Sequence, residues 1–171
     1  MTRKHARELA IHLIFELSFS GESAEELLDR ALNRSVFERI GAEDPLYEQF
    51  PNAAQKAYIS TLVKGVWEHG AELDEYISRY AIGWSFQRIN RVVVCILRAA
   101  MYEILYMQDV PNAAAINSAV DLTRHYETNE VAAFVNGILG TFVRTELPED
   151  AAPVFTDPAL FDAAENDGAE P

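Results

Sequence analysis

Between Val92 and Met107 the chain runs VVVCILRAAMYEILYM, with Arg98 and Glu103 as its charged exceptions. A helix that is apolar nearly all round has no face to offer water and has to be enclosed by other elements. The run is also shorter than the ~20 residues that cross a bilayer. It therefore reads as the spine of a helical core, on a helix predicted from Phe86 or Arg88 to Met107.

The rest of the chain supplies elements to enclose it. Few segments alternate with period two, whereas apolar residues recur at three- and four-residue spacing, so the predicted fold class is all-α. A first helix from Arg3 to Ser18 buries Ala6, Leu9, Ala10, Leu13 and Leu17, turns His5, Glu8, His12 and Glu16 outward, and stops at Gly21. Ser23 with Glu26 forms a capping box for a second helix through Leu27, Leu28, Leu32, Val36 and Ile40. After a loop from Gly41 to Pro51, Asn52 caps a third helix through Tyr58, Leu62, Val66 and Trp67. Gly70 separates it from a fourth through Leu73, Tyr76, Ile77 and Tyr80, and Gly83 and Trp84 mark the next break. Beyond the spine, Pro111 and Asn112 start a sixth helix, and Asn129 caps a seventh through Phe134, Ile138, Phe142 and Val143. The expectation is seven helices in two small bundles, divided at the Gly41 to Pro51 loop. Gly137 and Gly140, each about 1 kcal/mol worse than alanine inside a helix, are expected where a neighbouring helix packs closely.

No enzymatic constellation is convincing. His5, Glu8 and His12 share a helical face, but such side chains on an outward face are usually just solvated, and Asp121 with His125 reads as a surface pair. No glycine-rich phosphate loop, serine elbow or paired Glu-x-x-His motif is present. The expected catalytic residues, metal and cofactors are therefore none. The lone cysteine, Cys95, lies in the apolar run, allows no intrachain disulfide or cysteine metal site, and fits a reducing cytoplasm. Arg3, Lys4 and Arg7 precede an apolar stretch, but Glu8, His12 and Glu16 break it up too often for a signal peptide.

Net charge is −13, which by itself argues against binding nucleic acid. Its distribution changes that inference. After Thr145 the chain carries eight carboxylates and no Lys or Arg, so −8 of the −13 lies there and −5 before it. Arg3, Lys4, His5 and Arg7 crowd the first turns of a helix, where the macrodipole disfavours each cation by a few tenths of a kcal/mol. Phosphates would offset that, and Phe15, three turns on and angularly near Lys4, could stack on a base. The plainer account of these cations is solubility.

Five segments carry a resemblance: ARELAIHLIFEL, YISTLVKGVWEHGAELDEYI, INRVVVCILRAAMYEIL, DVPNAAAINSAVDL and FVNGIL. Together, over about Arg3 to Arg144, they resemble the NusB family of bacterial transcription antitermination factors. The resemblance implies two three-helix bundles plus an extra helix, and a non-enzymatic role. It divides the chain into a helical RNA-binding domain, 1–145, and an acidic disordered tail, 146–171. Implied partners are boxA-type single-stranded RNA of nascent ribosomal RNA transcripts, the NusE ribosomal protein and, indirectly, the RNA polymerase elongation complex, with no membrane.

The family's arginine-rich start falls on Arg3, Lys4, His5 and Arg7, and its FVNG motif on Phe134 and Asn136, so these six are the expected RNA-binding residues. For Phe134 and Asn136 the alternative is a core ring and a helix-bridging amide. Phe15, in place of a family Tyr, and Val93, in place of a charge on the partner-facing helix, are expected at the NusE surface. Val94, Ser118 and Ala133 also depart from the family pattern, implying a more apolar NusE surface and weaker RNA binding. Two alternatives remain: a protein-interaction scaffold or homodimer that has lost RNA binding, and a fused ribosomal RNA methyltransferase, which the missing Rossmann-like domain argues against. The tail carboxylates are expected either to solubilise or to fold back over Arg3, Lys4 and Arg7 as a phosphate mimic, and Val154, Phe155, Leu160 and Phe161 to form a short docking motif.

Overall fold

Eight α-helices and two 3-10 turns make up the regular structure of residues 1–147, which the computed structural model describes; among these residues there is no strand. The tail's fold-back and its docking motif lie outside the described residues. The all-α class holds, with one helix more than expected. The order is α1 (Arg3–Ser20), α2 (Ala24–Ala31), α3 (Arg34–Ile40), α4 (Ala53–Glu68), α5 (Gly70–Tyr80), α6 (Arg91–Tyr106), α7 (Asn112–Tyr126) and α8 (Asn129–Glu146). The added helix arises at Asn33, whose Oδ1 accepts from the Ser35 N–H at 3.0 Å and caps α3, cutting the expected second helix in two. Asparagine competes with the helical backbone in this way, so an unbroken apolar pattern does not guarantee an unbroken helix.

The chain forms two compact units, and the first is Met1–Trp67. Here α1 is capped by Thr2 and ended by Gly21 in the left-handed region at φ 72°. The capping box of α2 is present, with Ser23 Oγ 3.2 Å from the Glu26 N–H and Glu26 Oε2 2.9 Å from the Ser23 N–H. Arg30 then ties α2 to α1 by donating to Glu16 and to Glu22, each at 2.7 Å. At the head of α4, Asn52 and Gln55 cap each other's backbone N–H at 2.9 Å.

The expected boundary at the Gly41 to Pro51 loop is not where the chain divides, because that loop is folded onto α3. Phe37 holds the Tyr47 ring at 5.1 Å and the Phe50 ring edge-on at 5.0 Å. A Cβ on Gly41 would stand 2.6 Å from the Tyr47 carbonyl oxygen and 2.7 Å from that of Phe37. Aromatic residues on both sides of the turn dock it on α3, with Leu46 and Pro51 buried beneath it.

The second unit begins at Glu68 and is built on α6, which packs against α5, α7 and α8. Residues 93–97 and 99–104 of α6 are buried, as the apolar run requires. Its charged exception Arg98 forks onto Asp74 of α5 with two hydrogen bonds of 2.7 Å. The helix starts at Arg91, later than expected, because Asn90 caps it and Phe86–Arg88 forms a 3-10 turn. Similarly α8 is capped by Thr128, one residue ahead of Asn129, and it runs one residue past Thr145. Its last residue, Glu146, accepts from Tyr80 and from Arg79 (2.8 Å); those bonds hold its carboxyl below the usual range.

The close packing expected at the α8 glycines is not found. Nothing described lies within 4 Å of a Cβ built on Gly137, and one on Gly140 would first meet the flexible Arg144 side chain, at 3.2 Å. Gly41, not Gly137, is where bulk is excluded. Gly41→Ala should therefore lower stability by about 1–3 kcal/mol through overpacking, read as a reduced urea midpoint at unchanged m-value. An unshifted midpoint would show that the loop is not seated on α3.

Candidate nucleic-acid interface

The start of α1 follows from its cap. Thr2 Oγ1 takes the His5 N–H at 3.2 Å, no acidic residue occupies the first turn, and the cations there face the positive end of the helix dipole. Lys4 and His5 are exposed, and Lys4 meets no carboxylate among the described residues. Arg3 is half-buried, its guanidinium carbon 6.0 Å from the centre of the Tyr58 ring on α4.

Arg7 differs from these three. It is 2% exposed, on the same stripe as Ile11 and Ile14, which are also buried. A cation without solvent access presents nothing to a phosphate, so Arg7 is a structural residue here, unlike the exposed Lys4 and His5. Positions 7, 11 and 14 fall at the i, i+4, i+7 spacing of a buried face. That spacing marks Arg7 in the sequence as a buried position, a signal that the surrounding basic cluster masks.

Phe15 is exposed and stacks edge-on with Phe19, ring centres 5.1 Å apart. It stands about 16 Å along the axis from Lys4 at 1.5 Å per residue. That is too far to serve the nucleotide whose phosphate Lys4 would hold, but the Phe15–Phe19 pair is a ready surface for an apolar partner. Val93 is 1% exposed and lies inside the second unit, so it can shape a partner surface only from beneath. Among the described residues no three His, Cys, Asp or Glu side chains are placed to hold a metal ion.

A second candidate surface lies on α8, within the second unit. Phe134 is half-buried with its ring 5.2 Å from Trp84; Gly137 is exposed one turn on beside it, and Asn136 is exposed farther round the helix. Asn136 makes no side-chain hydrogen bond among the described residues, so the helix-bridging alternative has no support. Trp84 is about half exposed and extends the ring surface of Phe134. The apolar pattern marks it only as a helix break and carries no sign that its ring is exposed. Asp121 pairs with Arg124 at 3.2 Å and not with His125, which stacks on Tyr126.

The sequence profile of the NusB family matches residues 4–144. The chain belongs to the NusB family. Transcription antitermination protein NusB of Symbiobacterium thermophilum is 38% identical over 144 residues, covering 84% of this chain and 90% of that one. NusB from T. maritima superposes with a TM-score of 0.72 at 26% identity, over 88% of this chain and 96% of that one. A crystal structure of the antitermination factors NusB and NusE in complex with dsRNA shares the fold, with a TM-score of 0.64 at 24% identity over 83% and 96% of the two chains.

Within this NusB-family fold Lys4 and Arg7 have opposite surroundings, and substitution separates them. Arg7→Ala should destabilise the protein by about 2–4 kcal/mol, because a buried guanidinium leaves behind both a void and stranded partners. The check is a chemical melt: a stability decrease under about 0.5 kcal/mol, the range of an ordinary surface substitution, would return Arg7 to the surface.

Proposed function

We propose that this chain is a non-enzymatic transcription antitermination factor that acts in the cytoplasm. It binds boxA-type single-stranded RNA of nascent ribosomal RNA transcripts together with NusE and, through that pair, acts on the RNA polymerase elongation complex. The observation that carries this is the first turn of α1: cations without a carboxylate in the turn, in a protein of net charge −13. Lys4, His5 and Arg3 meet the phosphates, and Arg7 holds α1 in place behind them. The name of the S. thermophilum relative supports the role in antitermination. The complex of NusB and NusE with dsRNA supports both partners for a protein of this fold.

On α8, Phe134 and Asn136 form the second contact, one offering a ring and the other an unused amide. Gly137 next to them supports this assignment. An exposed mid-helix glycine is about 1 kcal/mol worse than alanine, and no described side chain explains it. A bare stretch of backbone is useful where a strand must approach closely. NusE covers the exposed Phe15–Phe19 pair. That same pair favours one alternative, a homodimer through α1, which sedimentation of the isolated chain would reveal.

Lys4→Ala should weaken RNA binding and flatten the dependence of log K on log salt by about 0.7, the increment that one phosphate of a single strand contributes. Parent-like affinity and slope would assign Lys4 to the solvent. For Gly137→Ala the two readouts should move in opposite directions. The melting temperature should rise by about 2–4 °C, as ~1 kcal/mol gives in a domain of this size, while RNA affinity falls. A rise at parent-like affinity takes α8 out of the interface.

A further inference from the structure

We infer that the first unit carries a second RNA cradle, formed by Arg34, Phe50 and Lys56, which continues the path of a single strand beyond the start of α1. This rests on the RNA-binding reading and extends its footprint. Phe50 is half-buried, its ring held edge-on by Phe37 at 5.0 Å and 88°. Two cations lie over that fixed ring, the Lys56 ammonium 4.1 Å and the Arg34 guanidinium carbon 4.6 Å from its centre. Neither has a carboxylate partner among the described residues, whereas Arg30 and Lys64 of the same unit do.

The distances have a chemical consequence. Both cations lie close to one ring, so they are at most about 9 Å apart and concentrate positive charge at one spot. A phosphate beside the ring draws both long side chains to it and offsets their charge. When the cations turn to it they uncover an aromatic face, on which any base can stack. A carboxylate-rich protein would also attract the charges but would gain nothing from the ring, and a duplex has no base free to stack. The combination therefore fits single-stranded nucleic acid.

Helix α4 links the cradle to the chain start. The Gln55 side-chain amide donates to the Met1 carbonyl, and Arg3 lies over Tyr58. Residues 55–58 of α4 thus run beside residues 1–3, which places Lys56 in the same two turns that touch the chain start. Arg3 on Tyr58 and Lys56 on Phe50 thus lie within one turn of each other along α4.

The test uses the full chain and single-stranded oligoribonucleotides of about 4 to 16 nucleotides, the range that one small module covers, titrated across a salt series with and without NusE. With long RNA, the double variant Arg34→Ala/Lys56→Ala should bind roughly tenfold more weakly, with a slope flatter by about 1.4 for two phosphates. The shortest RNA, held at α1, should be unaffected. Phe50→Leu, which keeps an apolar side chain against Phe37, should weaken binding of long RNA without changing the slope. An unchanged slope in the double variant on long RNA overturns the cradle, as does a drop in NusE affinity with RNA binding intact. If either variant melts below the parent, Arg34→Gln/Lys56→Gln serves in its place. Lys4→Ala on the same RNAs keeps the outcomes apart: its effect persists if only the cradle is wrong and vanishes if the RNA reading itself is wrong.

Discussion

Enclosure of α6 is the constraint on which the rest of the second unit depends. Eleven of its residues are buried, and each CH₂ removed from water contributes about 0.8 kcal/mol. No arrangement that left one side of this helix wet could recover that contribution. The placements of α5, α7 and α8 are therefore not free: they are set by the spine they cover. Arg98 sits on this helix with its stem among apolar neighbours and its fork on Asp74, which turns an awkward charge into a fixed link between α6 and α5. Phe142 of α8 wedges against Tyr76 and Tyr80 of α5 in the same way. The outer face of α8, with Phe134, Asn136 and Gly137, is positioned because its inner face is committed.

Charge sorts into two populations that packing does not explain. One population is neutralised within the fold: Arg30 on Glu16 and Glu22, Lys64 on Glu25, Arg79 on Glu146, Arg124 on Asp121. Exposed pairs of this kind contribute little, commonly under about 1 kcal/mol. The other population, Lys4, Arg34, Arg39, Lys56, Arg88 and Arg144, meets no carboxylate among the described residues. Two of these, Arg34 and Lys56, rest on one aromatic ring, a contact that holds a cation in position without cancelling its charge.

Periodicity makes most of the fold legible, and where it fails the causes are physical. The all-α class, the α6 spine, the Ser23–Glu26 box and the Gly21 stop are readable because each is a local property of a short window. Asn33 escapes such a window because a single capping side chain can break a helix without disturbing its apolar pattern. The loop from Gly41 to Pro51 has the composition of a boundary, yet its seating depends on Phe37 meeting Tyr47 and Phe50, contacts that no spacing rule announces. Of the candidate site, Lys4, His5, Phe15 and Asn136 are exposed and Arg3 and Phe134 half-exposed, while Arg7 and Val93 are buried. Those two are motif positions, and a motif does not say which way its side chains face. The Arg34–Phe50–Lys56 cluster has no signature in the sequence, since its members come from α3, a loop and α4.

How a strongly acidic protein attracts a polyanion is a question of distance. At physiological ionic strength charges separated by more than about 8 Å are largely screened, so a phosphate at Lys4 responds to the local cluster and hardly at all to remote carboxylates. The net charge acts earlier, on approach, where a repulsive field slows encounter and is itself weakened by salt. Added salt thus has two opposed effects on this chain, loosening contacts and easing approach. The absolute salt dependence of binding mixes them and will understate the number of phosphates held. A difference between parent and a single-cation variant largely removes the shared repulsion and leaves the contact, so the RNA footprint of a protein like this is better counted from differences in slope than from affinity.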